Sequence, residues 1–193
     1  KEYNFRYMVN VTGTPYYGSN NNDYFNDVIY RFGLKQAVDN GIVKKVDAKT
    51  FDEYKEDKGY QQIWAVHQDN IKTYGKHLKP ISIVVCASIA EAIIEWNELV
   101  KFISNIEKID FEEAAEKVIW VTSGLPTSTT ADGQRIAPIL TKDKKERGGE
   151  TIRKENLKLL KTVDERDNPV EWIISVSMLT EGWDVKNVFQ VVP

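Results

Sequence analysis

The sequence predicts an α/β domain built on a parallel sheet with helices on both faces. The runs at 81–87 (ISIVVCA), 118–122 (VIWVT), 173–178 (IISVSM) and 188–192 (VFQVV) are of strand length, rich in β-branched residues and apolar along nearly their whole length, the pattern of strands buried on both faces. Between them lie segments with apolar residues at helical spacing, so the order is strand, helix, strand, helix, strand, loop, strand. The 193 residues are 41% hydrophobic and 28% charged, an ordinary globular balance in a chain long enough to bury about 70% of its unfolded surface.

Residues 5–11 (FRYMVNV) read as a short apolar–aromatic strand running into Thr12-Gly13-Thr14-Pro15, where glycine permits unusual backbone angles and proline ends the ladder. Residues 16–22 (YYGSNNN) read as a flexible polar loop. Phe25, Val28, Ile29 and Phe32 then recur at helical spacing, Ala37 and Val38 continue that face after Gly33, and Gly41 stops the helix. The stretch 47–59 (DAKTFDEYKEDKG) is charged and weakly periodic, a connector between two domains.

The helix after it carries Ile63, Val66, Ile71, Tyr74 and Leu78 on one side and ends before Pro80. Ser88 with Glu91 forms a capping box for a long helix with a broad stripe from Ile89 to Ile106, and Asp110 with Glu113 repeats the pattern for a short one. Residues 123–139 are a loop rich in Gly, Pro, Ser and Thr. From 142 to 161 the chain turns basic, and the second half of that segment is a helix carrying Ile152, Leu157, Leu159 and Leu160.

A net charge of -3 and a pI near 5.6 exclude a globally basic nucleic-acid binder, so any such contact must come from local patches. The lone Cys86 sits inside an apolar run and reads as a reduced core thiol. His67 and His77 lack metal-ligand spacing and carboxylate company, so they read as surface or core histidines and no metal site is expected. No apolar run approaches the ~18 residues of a membrane span and no signal peptide is visible, which makes a soluble cytoplasmic protein without membrane contact the default. The chain begins without methionine and ends directly after an apolar strand, and is read as a piece of a longer protein.

Residues 179–184 (LTEGWD) place a hydroxyl, two carboxylates, a glycine and a large aromatic between two buried strands. In parallel sheets ligands collect at loops leaving the carboxyl ends of strands, which makes this loop a binding-site candidate.

Residues 176–193 (VSMLTEGWDVKNVFQVVP) resemble motif V of superfamily 2 helicases, in the form with a TEGWD core found in restriction (Res) subunits of type III restriction–modification enzymes. Thr12-Gly13-Thr14-Pro15 resembles motif III of the same proteins, residues 34–43 (LKQAVDNGIV) resemble the bridging segment, and Ser88 falls where motif IV stands. The resemblance implies a P-loop NTPase fold: the end of RecA-like domain one and the bridging segment at 1–46, a connector at 47–59, and RecA-like helicase domain two at 60–193, truncated before motif VI. It further implies that Gly182, Asp184 and Glu181 belong to the nucleotide side, that Thr12 to Pro15 couple the two sites, and that Ser177, Thr180, Ser88, Ser123 and Gly124 contact DNA backbone phosphates. Trp183 reads as a core or interface residue before a base-stacking one.

The sequence contains no G-K-[ST] phosphate loop, no acidic motif II and no motif VI. The fragment alone is therefore expected to be inactive and to bind no cofactor. The parent implied is an ATP-dependent DNA translocase or helicase of a type III restriction endonuclease, using ATP and Mg2+, with DNA and the modification (methyltransferase) subunit as partners. Two alternatives stand beside it: a superfamily 2 DNA helicase or repair translocase without a nuclease, and a non-catalytic α/β binding module, which accounts for the sheet but not for the TEGWD loop.

Overall fold

The computed structural model describes residues 9, 11, 16–17, 23–24, 28–45, 57–125, 149–176 and 185–193. The chain divides into two compact units, Lys1–Thr50 and Phe51–Pro193.

In the first unit β1 (Tyr16–Tyr17) pairs antiparallel with β2 (Asp23–Tyr24), so the two tyrosines expected in a loop are paired strand residues. The helix expected from Phe25 onward is shorter than its spacing implied. Val28, Ile29, Tyr30 and Phe32 lie outside any helix and are exposed, and α1 spans only Leu34–Asp39. A helical stripe is stabilised chiefly by a core to pack on, and among the described residues of this unit only Ala37 is buried. Gly33, extended at φ -80 and ψ 162, starts the helix with its N–H on Gln36 Oε1 at 2.9 Å. Gly41, at φ 68, ends it as expected: its N–H donates to the Val38 carbonyl and that of Ile42 to the Ala37 carbonyl, both at 2.9 Å, the Schellman pairing that needs a left-handed residue. The strand expected at 5–11 lies outside the described residues except for Val9 and Val11, which are exposed.

In the second unit Ile81, Ile83, Ile119, Val121 and Ile173 make one buried apolar face, and Val84, Val118, Trp120, Trp172 and Ile174 the other. These residues come from β3 (Ile81–Val85), β4 (Val118–Val121) and β5 (Trp172–Ser175), which with β6 (Val188–Val192) form a parallel sheet in the order β4-β5-β3-β6. The parallel α/β architecture is the one expected, and its strands match the four apolar runs. α2 (Asp57–Tyr74), α3 (Ile89–Glu107) and α4 (Phe111–Glu116) contribute Ile63, Ala92, Ile93, Leu99, Val100, Ile103 and Ala114 to the Trp120 face. α5 (Gly149–Leu159) and a 3-10 turn (Leu160–Thr162) bring Leu157, Leu159 and Leu160 to the Ile173 face.

Both expected caps are made. Ser88 Oγ accepts from the Glu91 N–H at 3.1 Å, while Glu91 Oε2 reaches back to the Ala87 N–H at 2.9 Å. Asp110 Oδ1 accepts from the Glu113 N–H at 2.7 Å. β4 lies at the end of the sheet, and its outward carbonyls are covered one by one. Trp96 Nε1 donates to Val118 O at 2.9 Å, Asn156 Nδ2 to Trp120 O at 2.9 Å, and Arg153 Nη1 to Thr122 O at 3.4 Å. Side chains from α3 and α5 thus replace a missing neighbour strand and close an edge open to stray pairing.

The amino-terminal edge of the sheet carries a buried polar chain. His67, fully buried on α2, meets Ser82 Oγ with Nδ1 at 2.7 Å and Glu171 Oε2 with Nε2 at 3.3 Å, and its ring lies 4.5 Å from that of Trp172. Ser82 donates on to Gln190 Oε1 at 2.9 Å, and Lys117 bridges Glu171 and Glu107. His67 is thus the core histidine of the two, and His77 is exposed.

Candidate functional site

Because all four strands run parallel, every carboxyl end opens on the same edge. β3 leaves through Cys86, Ala87 and Ser88, β4 through Thr122, Ser123 and Gly124, and β5 through Val176 into residues 177–184. β5 lies between the other two, tied to them by Cys86 N–H on Ser175 O at 2.9 Å and Val176 N–H on Val121 O at 3.4 Å. The chain therefore enters the 177–184 segment from the middle of the edge, with the Ser123 exit on one side and the Ser88 exit on the other. The β3-to-β4 connection crosses past β5, whereas the chain after β5 crosses β3 to reach β6. Opposed crossings of this kind mark where open α/β sheets place ligands.

The structure thus brings three of the residues singled out in the sequence, Ser88, Ser123 and Gly124, to one edge. Ser88 is exposed, and its oxygen accepts the cap bond from Glu91, leaving the hydroxyl proton to donate outward. Ser123 is exposed, and Gly124 is half-buried with its carbonyl taking the Thr122 hydroxyl at 2.7 Å. A Cβ built on Gly124 would meet nothing within 4 Å, so close packing does not require a glycine there. Thr12, Gly13, Thr14 and Pro15, and Ser177, Thr180, Glu181, Gly182, Trp183 and Asp184, lie outside the described residues.

The two flanks differ in charge. Beside Ser123, Arg153 bonds the Thr122 carbonyl and holds Glu150 in a two-pronged pair at 2.8 and 3.0 Å. The Arg153 contact holds the Glu150 carboxyl below its ordinary range. Beside Ser88 stand Glu91 and Glu95. Burial pushes the Glu95 carboxyl up, against a hydrogen bond from Tyr60 and with the charges of Glu91 and Glu98 adding to the rise. Burial pushes the Cys86 thiol up to about 12, with Glu95 and Glu91 adding to it. The Ser123 flank thus carries the Arg153 guanidinium, paired with Glu150, and the Ser88 flank carries the carboxyl groups of Glu91 and Glu95.

Two residues of this edge were not singled out as site residues from the sequence. Arg153 was one charge in a basic run, and only its fold position brings it beside Ser123. Ser175, buried at the end of β5, has a hydroxyl without a hydrogen-bond partner, uncommon for a buried polar atom. A serine closing an apolar strand run carries no sequence signal of that. Among the described residues no group of three or more His, Cys, Asp and Glu side chains is placed to hold a metal ion, and no helix is long and apolar enough to cross a membrane.

The chain is similar to a protein described as a probable type III restriction-modification enzyme HindVIP Res subunit, from Haemophilus influenzae, with 24% identity over 200 residues. The similarity takes in 88% of this chain and 39% of that protein, so the chain spans about two fifths of the relative's length. No protein-family model matches the chain, and no solved structure matches it.

Proposed function

We propose that this chain is part of the Res subunit of a type III restriction–modification enzyme, an ATP-dependent DNA translocase, and that Phe51–Pro193 is its second RecA-like helicase domain. The observation that carries the reading is the similarity to a Res subunit along 88% of the chain. It is joined by a parallel sheet whose β3, β4 and β5 exits share one edge, which fits such a domain. In this reading Ser123, Gly124 and Arg153 hold backbone phosphates of the DNA, with Ser88, Ser177 and Thr180 as further donors. Such contacts position a strand without reading its sequence. Gly182, Glu181 and Asp184 belong to the ATP side and Thr12 to Pro15 couple the two, with Mg2+ accompanying the nucleotide. DNA and a modification subunit are the partners, and the cytoplasm is the place of action.

The test is Asp184→Ala in the full-length protein. The variant is expected to lose DNA-stimulated ATP hydrolysis while keeping the wild-type circular dichroism spectrum and unfolding midpoint. Unchanged turnover would remove the assignment.

A further inference from the structure

We propose that the buried chain Glu171–His67–Ser82–Gln190 is a proton-operated switch, in which one proton gained or lost at His67 turns over the side-chain amide of Gln190 on β6. The four groups stand in line. His67 meets Glu171 Oε2 with Nε2 at 3.3 Å and Ser82 Oγ with Nδ1 at 2.7 Å, and Ser82 Oγ lies 2.9 Å from Gln190 Oε1. His67 and Ser82 are both fully buried, so the partners of the ring and of the hydroxyl are these groups rather than bulk water. Counting protons leaves two satisfied arrangements. In the first, which the structure shows, Gln190 Oε1 takes the Ser82 proton. Ser82 then accepts from Nδ1 and the Glu171 carboxylate accepts from Nε2, so both ring nitrogens carry protons. In the second the ring is neutral: Nε2 keeps its proton toward the carboxylate, and Nδ1 takes the Ser82 proton. Gln190 Oε1 would then face the Ser82 oxygen with no proton between them. The amide relieves this by turning half-way round, so that its nitrogen donates to Ser82.

The surroundings leave the ring as the group that changes. Glu171 meets it from the start of β5. Lys117, before β4, pairs with Glu107 of α3 and lies 3.8 Å from Glu171 Oε1, and Lys79, before β3, acts on the same carboxyl. Burial pushes the Glu171 carboxyl up, but the hydrogen bond with His67 and the charges of Lys117, His67 and Lys79 outweigh it, so this group stays ionised. β3 and β6 present only the neutral Ser82 and Gln190, and β5 the Trp172 ring, 4.5 Å from the imidazole. Histidine is the side chain whose charge changes nearest to neutral pH. Glu171 also lines an open cleft of about 440 Å³ with Ile71, Lys79 and Arg166, which gives water and protons a route to one end of the chain. At the other end Gln190 is half-buried, on a strand that pairs with β3 alone among the described strands. Turning its amide exchanges a donor for an acceptor on β6, so a proton taken up in the core is reported at the end of the sheet.

The experiment follows the His67 ring nitrogens and the Gln190 side-chain amide by NMR in the 193-residue chain, from about pH 5 to about pH 8. As His67 passes from two protons to one, held at Nε2, through-space contacts between the Gln190 amide protons and Ser82 are expected to appear with the same midpoint. Gln190→Glu has no amide nitrogen to turn toward Ser82 and should raise that midpoint by about one pH unit, the size of one net hydrogen bond. Ser82→Ala, which removes the relay, should cancel most of that rise. The proposal is overturned by a ring that titrates while the Gln190 contacts stay unchanged, or by a neutral ring with its proton on Nδ1. A ring that keeps one protonation state across the range overturns it too, as does a Gln190→Glu rise equally large without the Ser82 hydroxyl. The wild-type titration decides the matter even where a variant fails to fold.

Discussion

Glu171 shows what a single residue contributes here. Burial pushes its carboxyl up, but the hydrogen bond with His67 and the charges of Lys117, His67 and Lys79 outweigh burial and hold it below its ordinary range. A carboxyl whose folded-state value is depressed adds stability that is complete above the unfolded value, about 4.3, and is lost as pH falls through the folded value. The stability difference between wild type and Glu171→Gln is therefore expected to shrink as the pH falls from about 5 to below about 4. Urea midpoints of the two proteins across that range check it; a difference that persists undiminished in acid contradicts the assignment. None of this is legible in the sequence, since Ser82 and Glu171 lie 15 and 104 residues from the histidine they share, and only the fold brings them together. The inert character of Cys86 was legible, because an isolated thiol in an apolar run has nowhere to lie but the core, where burial pushes it up to about 12.

Elements were read best where local chemistry and tertiary packing agree. β3, β4 and β5 are apolar on both sides because helices cover both sides, whereas β6, at the other end of the sheet and also read as buried, leaves Val191 exposed; Ser88 and Asp110 begin helices because a side-chain oxygen takes a free N–H. Residues 28–32 show the converse: their spacing is helical, but among the described residues their unit offers no core, and the side chains stay exposed. The closing of β4 was also invisible, since Trp96, Asn156 and Arg153 come from two helices and follow no periodic pattern. That ladder makes a prediction at this scale. Asn156 is buried, and its Nδ2 is the donor on the Trp120 carbonyl. Asn156→Ala leaves that carbonyl unpaired and should cost about 1–3 kcal/mol in denaturant unfolding. Asn156→Asp should cost more, because it sets a carboxylate against the carbonyl and cannot donate. An alanine variant as stable as wild type would mean that the β4 edge needs no cover at this point.

Across the whole molecule, the parallel order of the strands made it predictable that the exits of β3, β4 and β5 share one edge. Ser88, Ser123 and Gly124 lie there because topology puts them there, while the difference in charge between its flanks depends on Arg153, Glu91 and Glu95 side chains that no linear motif orders. The same topology bears on how the chain folds. Ala37 aside, every buried apolar residue among those described belongs to Phe51–Pro193. So do both helical layers and all three side chains that cover the β4 edge. This unit contains the means to bury both faces of its own sheet, and residues 51–193 produced alone are expected to unfold in one cooperative transition. All five tryptophans of the chain lie within it, and Trp120 and Trp172 are 1% exposed, so fluorescence reports on the packed core while far-UV circular dichroism reports on the helices. Two-state unfolding requires the two signals to change together. Fluorescence midpoints well below those of circular dichroism, or helical signal without near-UV tryptophan bands, would describe a loosely packed collapsed state and show that the core of the second unit is completed by residues outside it.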